Sequence, residues 1–203
     1  MNMPRFVPPL FLLVVLVQAG CSAVIRPTVG ASEFLVNERK FPGDVALYVP
    51  DEFRTYSWAH TDAGDLKLWK LELGAATTDA LRYALESRFD SVTVRASRPR
   101  FPLAPPGPSL AVVPTFDSVK VATPVVFKFE NYRVALTLSL RVYDAAGNEL
   151  ESMILTGEGR KAGSIGYESA GHAALPEACH HAIKQVADQA VRGLIGLAAR
   201  QRT

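Results

Sequence analysis

Hydrophobic and polar positions alternate along this chain with two different periods. The longest run of period two lies at Tyr132–Tyr143. Val134, Leu136, Leu138, Leu140 and Val142 fall on one side there, and Ala135, Thr137, Ser139, Arg141 and Tyr143 on the other. Such alternation marks a strand with one buried face. Asp144-Ala145-Ala146-Gly147-Asn148 predicts a hairpin loop, with Gly147 free to take positive φ. Glu149–Gly157 predicts the returning strand. Shorter strands are predicted at Val45–Val49, Leu66–Leu73 and Ser91–Ala96. Leu110–Val113 and Ser118–Ala122 read as one broken strand, with Pro114 at an edge or bulge.

Helical spacing of three and four residues occurs twice. Gly74 opens the first helix, where Thr77, Thr78 and Asp79 are placed to accept from free backbone N–H groups. Leu81, Ala84, Leu85 and Phe89 share one face of it. The second helix is predicted to carry Pro176 in its first turn and to run to Ala199, with an apolar stripe of Ile183, Val186, Ala187, Ala190, Val191 and Leu194. Gly157-Glu158-Gly159 predicts a turn, and 159–171 a glycine-rich loop. The order of elements predicts an α+β two-layer sandwich: a mostly antiparallel sheet covered on one side by two helices.

The N-terminus follows a different pattern. Arg5 precedes an apolar run from Phe6 to Val17, broken in its first half by Pro8 and Pro9, and small residues Ala19 and Gly20 lead into Cys21. The run is too short for a bilayer, which needs about 20 apolar residues, and has the form of an export leader. Ala19-Gly20-Cys21 resembles the lipobox of bacterial lipoproteins, with Gln18 where that motif usually has an apolar residue. The resemblance implies a leader over residues 1–20 and lipidation of Cys21. It also implies a lipidated N-terminus and tether over residues 21–43 and a domain over 44–203, with a Pro-rich loop at 97–109. Ser22, standing where enteric bacteria use Asp for inner-membrane retention, implies the outer membrane.

Composition narrows the rest. An apolar fraction of 48% with 21% charged residues is that of a folded domain. The formal charge of +2, reduced by one when Arg5 leaves, is not gathered into a basic stripe, so nucleic-acid binding has no electrostatic footprint. Of the two cysteines, Cys21 is assigned to lipid, which leaves Cys179 without a disulfide partner in the chain.

Chemistry-bearing motifs are sparse. Cys179-His180-His181, with His172 upstream, invites a metal reading, but adjacent side chains on a helix diverge; no metal site is predicted. Neither Gly-x-Ser-x-Gly nor His-Glu-x-x-His occurs, and the four histidines are scattered. No catalytic residue and no cofactor is predicted. The partner-binding candidates are Phe53, Arg54, Tyr56, Trp58 and Trp69, because Tyr, Trp and Arg concentrate at interface hot spots. The Pro-rich arm with Arg98, Arg100 and Phe101 is a second candidate.

Leu73–Val92, Val49–Arg54, the hairpin Leu140–Leu150 and Thr156-Gly157-Glu158-Gly159 are similar to segments of proteobacterial lipoproteins. The arrangement resembles small periplasmic domains of the TolB N-terminus, the curli secretion lipoprotein and the lipoprotein activators of penicillin-binding proteins. It implies a non-enzymatic accessory or assembly subunit of an envelope complex, periplasm-facing, partnered by the membrane and an envelope protein, with a homo-oligomer allowed. The alternative function is binding of a small molecule, lipid or glycan between sheet and helices.

Overall fold

The structure is a computed structural model describing residues 23–35, 39–61, 68–103, 109–122, 131–162 and 169–200; side chains 23, 60–61, 68–69 and 169–173 also lie outside the description. Cys21 therefore falls outside the described residues. The elements are β1 (Ala23–Ile25), a 3-10 turn (Ala31–Phe34), β2 (Phe41–Tyr48), the single turn α1 (Asp51–Arg54), β3 (Ser57–Thr61), β4 (Leu68–Glu72), α2 (Leu73–Arg88), β5 (Phe89–Arg95), β6 (Leu110–Ala122), β7 (Asn131–Asp144), β8 (Glu149–Ala162) and α3 (Ser169–Arg200).

The fold is α+β. A five-stranded sheet has the order β5-β2-β6-β7-β8, and a smaller sheet has the order β1-β4-β3. The large sheet is mixed. β2 runs parallel to β5 and β6, while the long β6–β7 and β7–β8 ladders are antiparallel. The alternation in β7 sets its burial: Val134, Leu136, Leu138, Leu140 and Val142 are all at most 1% exposed. They pack beneath α2 and α3, whose stripes supply Leu81, Ala84 and Leu85, and Ile183, Val186 and Leu194. Ile25 and Leu71 of the small sheet join the same core. On the opposite face of the large sheet, Phe101 and Leu103 of the Pro-rich segment pack on Ala46, Tyr48, Ala111 and Tyr143.

Several local expectations are revised. The 23–34 segment, expected to be an irregular tether, contributes β1 and the buried Ile25, Val29 and Phe34. β6 is continuous through Pro114, which lies just beyond Val112, the last residue paired to β2; a missing N–H costs nothing where the strand has lost that neighbour. The bulge falls at Asp117 instead.

α2 begins at Leu73 and is not capped by its threonines. The N–H groups of Leu73 and Gly74 donate to the Tyr56 carbonyl at 3.1 and 3.0 Å. Thr77 and Thr78 donate their hydroxyls back to Leu73 and Gly74, each at 2.8 Å. Pro176 sits inside α3, which has already begun at Ser169.

The largest revision concerns Gly157-Glu158-Gly159, which is not a turn but part of β8. α3 crosses so close above the strand that a Cβ on Gly157 or Gly159 would collide with the backbone carbonyls of Ala182 or Ala178. The glycines are there because another backbone approaches, not because the chain reverses.

Candidate functional site

The five partner-binding candidates do not form one surface. Phe53 is 3% exposed and stacks on Phe116, with ring centroids 4.5 Å apart. Tyr56, half-buried, stacks on the same Phe116 at 4.2 Å. Trp58 pairs with Leu71 on the inward side of β3 and packs partly against the core. Arg54 is exposed and pairs with Asp51 at 2.6 Å. The backbone of Trp69 pairs with Ala23 and His60, and its side chain lies outside the described residues. Aromatic burial outweighs the hot-spot pattern for Phe53 and largely for Tyr56 and Trp58.

The Pro-rich arm is held down. Arg98 bonds Glu52 at 2.9 Å and keeps that exposed carboxyl below its usual range. Leu103 N–H donates to the Ala145 carbonyl at 2.8 Å, and Phe101 lies 5.4 Å from the Tyr143 ring.

Around α3, Cys179 is buried, and burial pushes its thiol up to about 12, so it is inert as a nucleophile or metal thiolate at neutral pH. His180 is already engaged. Its Nδ1 lies 2.8 Å from the Thr28 carbonyl oxygen and its Nε2 lies 2.7 Å from Glu33 Oε2. Glu33 Oε1 accepts the Gly30 N–H at 2.8 Å. These contacts fasten the N-terminal segment to α3. His181 is exposed on the neighbouring face, and the His172 side chain lies outside the described residues. Among the described residues no three His, Cys, Asp or Glu side chains converge as metal ligands.

The two edges of the large sheet are treated differently. At the β8 edge, the backbone N–H groups of Thr156 and Glu158 donate to Gln189 Oε1 (3.2 Å) and Gln185 Oε1 (3.0 Å). Gln189 Nε2 donates to the Thr156 carbonyl at 2.6 Å. Two glutamines one helical turn apart span the two-residue repeat of the strand, because roughly 6 Å separates both pairs. With Arg160 and His181 they line an open polar trough of about 590 Å³. At Thr156 and Glu158 the edge is thus occupied by the protein's own amides. β5, the other edge, pairs on one side only among the described residues. From Asp90 onward every residue except Val92 is exposed, including Val94 at 39%. Val49 N–H donates to the Arg95 carbonyl at 2.8 Å, so Arg95 faces the sheet and, by alternation, the backbone of Val94 faces outward. Sequence reasoning identified the strand but not its edge position, which depends on strand order.

A smaller apolar cavity of about 290 Å³ is lined by Pro42, Gly43, Val45, Phe89, Ser109, Leu110 and Ala198. No helix among the described residues is long and apolar enough to cross a membrane.

No known protein family matches the chain, and no curated protein matches it. Solved structures do. A hypothetical protein of Chlamydia trachomatis superposes with a TM-score of 0.50 at 15% identity, covering 79% of this chain and 99% of that one. A Xanthomonas campestris protein of the DUF330 family gives 0.49 at 12% identity, covering 90% and 98%. A candidate lipoprotein of Caulobacter crescentus CB15 gives 0.43 at 14% identity, covering 62% and 83%. At these identities the chain is similar to the Chlamydia protein in its fold, an α+β arrangement, and in nothing more specific.

Proposed function

We propose that this chain is a lipid-anchored protein of the bacterial outer membrane, facing the periplasm, that acts without catalysis as an accessory or assembly subunit of an envelope complex. The observation that carries the assembly role is the contrast between the two sheet edges. β8 is closed at Thr156 and Glu158 by Gln189 and Gln185, whereas β5 presents an outward backbone at Val94. A bare edge is a template for an added strand, which brings main-chain hydrogen bonds and side-chain contacts together. The occupant is an extended segment of another envelope protein; a second copy of the chain is the other source. Ala19-Gly20-Cys21 after an apolar run supports the anchor, and the resemblance of the order of elements to the small TolB, curli and penicillin-binding-protein activator domains supports a partner-binding role.

Two experiments test the reading. Cys21→Ser is expected to abolish palmitate labelling and release the protein from the membrane fraction; continued labelling would remove the anchor from Cys21. A photo-crosslinking residue at Thr93 is expected to trap a partner in intact membranes. Val94→Pro, which deletes an outward donor without touching the β2 ladder, is expected to abolish the adduct. A chain that extracts as a monomer with no adduct sinks the assembly role. The alternative, binding of a lipid or other apolar small molecule, draws on the cavity beside Val45, Phe89 and Leu110. Its volume is near the lower end for ligand pockets.

A further inference from the structure

We propose that the outer face of the small sheet rests against the bilayer from which the chain hangs. This builds on the reading of Cys21 as the lipid anchor and adds an orientation and a second membrane contact. The argument starts from chain length. Ser22 alone separates Cys21 from Ala23, the first residue of β1. Two residue steps span at most about 7 Å, and the headgroup layer on each side of a bilayer is itself roughly 5–8 Å deep. A diacylated Cys21 sits at the boundary between acyl chains and headgroups, so Ala23 has too little chain to leave the headgroup layer.

β1 is not free to swing away from the domain. Ala23, Val24 and Ile25 are in register with Trp69, Lys70 and Leu71 of β4, and Ile25 is 4% exposed in the core. Further along, His180 holds Thr28 and Glu33. The whole domain must therefore follow where β1 is placed.

The outward row of the small sheet suits a lipid surface. Val24 is 47% exposed and lies beside Lys70, which lies beside the exposed Ala59. Arg26 follows β1, and Glu72 holds both cations, Arg26 at 2.6 Å and Lys70 at 3.2 Å. Among the described residues, two cations on one carboxylate leave a net positive row around an exposed aliphatic side chain. That combination matches anionic headgroups over acyl chains.

The test uses lipidated, full-length protein in vesicles of phosphatidylethanolamine and phosphatidylglycerol carrying spin-labelled lipids. An environment-sensitive fluorophore is attached at Val24→Cys, at Ala59→Cys and, as a control, at Ile154→Cys; the buried Cys179 does not compete. Ile154 is 72% exposed, next to Met153, which meets α3 at Gly193. Gly193 is some 20 Å along the helix from His180, the residue that holds the N-terminal segment. Probes at 24 and 59 are expected to be quenched about threefold more than the probe at 154, which lies beyond the roughly 5–8 Å headgroup layer if the small sheet faces the bilayer. Equal quenching at all three sites, with palmitate still on Cys21, overturns the contact and leaves the anchor standing. Absence of palmitate on Cys21 overturns both. Ala59→Cys lies on a different strand from the anchor segment, so a folding defect at Val24 does not decide the outcome.

Discussion

Gly159→Val is expected to lower the thermal unfolding midpoint by on the order of 10 °C, from a loss of about 3 kcal/mol. The added side chain meets the Ala178 carbonyl, a backbone atom that cannot rotate away. α3 would have to lift from β8, and with it the buried row from Leu175 to Leu197. Gly157→Val acts through the carbonyl of Ala182 in the same way. Gly196→Ala is the control: its Cβ enters open space, and replacing a helical glycine by alanine is expected to stabilise by up to about 1 kcal/mol. Circular dichroism melts of the three variants check this. A Gly159→Val protein that melts with the wild type would mean that α3 does not cross β8 there.

Phe53→Ala and Arg54→Ala, neighbours in sequence, are expected to differ by about 3 kcal/mol in urea unfolding. Phe53 is buried and stacked on Phe116, so its truncation leaves a cavity; such losses cost about 3–5 kcal/mol. Arg54 is exposed, and its pair with Asp51 is a surface ion pair worth under about 1 kcal/mol. Any change in partner crosslinking caused by Arg54→Ala then reports on binding, whereas one caused by Phe53→Ala reports on folding. Equal stability of the two variants would return Phe53 to the candidate surface.

Much of this fold was legible in the chain. The period of two in 132–143 and the stripes of the two long helices named the core residues correctly, because burial of an entire face imposes its period on the sequence. The hairpin at 144–148 followed from one glycine, which has φ +98°. Its Asp144 carboxylate, bonded by the Asn148 side chain and by backbone N–H groups, is held below the usual range. The candidate site was less legible. Phe53, Tyr56 and Trp58 have the composition of an interface, yet Phe53 lies in the core and the other two at its margin, and composition alone does not separate the two.

What the sequence determined by itself is the set of amphipathic elements, the α+β class and the residues that turn inward. These depend on neighbours within a few positions. What only the tertiary structure decided depends on residues far apart in the chain. The glycines of β8 serve a helix some twenty residues later. Gln185 and Gln189 close one sheet edge, and β5 becomes the other edge only because β2 and β6 pair in parallel beside it. Residues 23–34 join the core because β4 offers them a strand partner. Local spacing carries no record of which surfaces meet, and that meeting is what sets the strand order and the place of the small sheet.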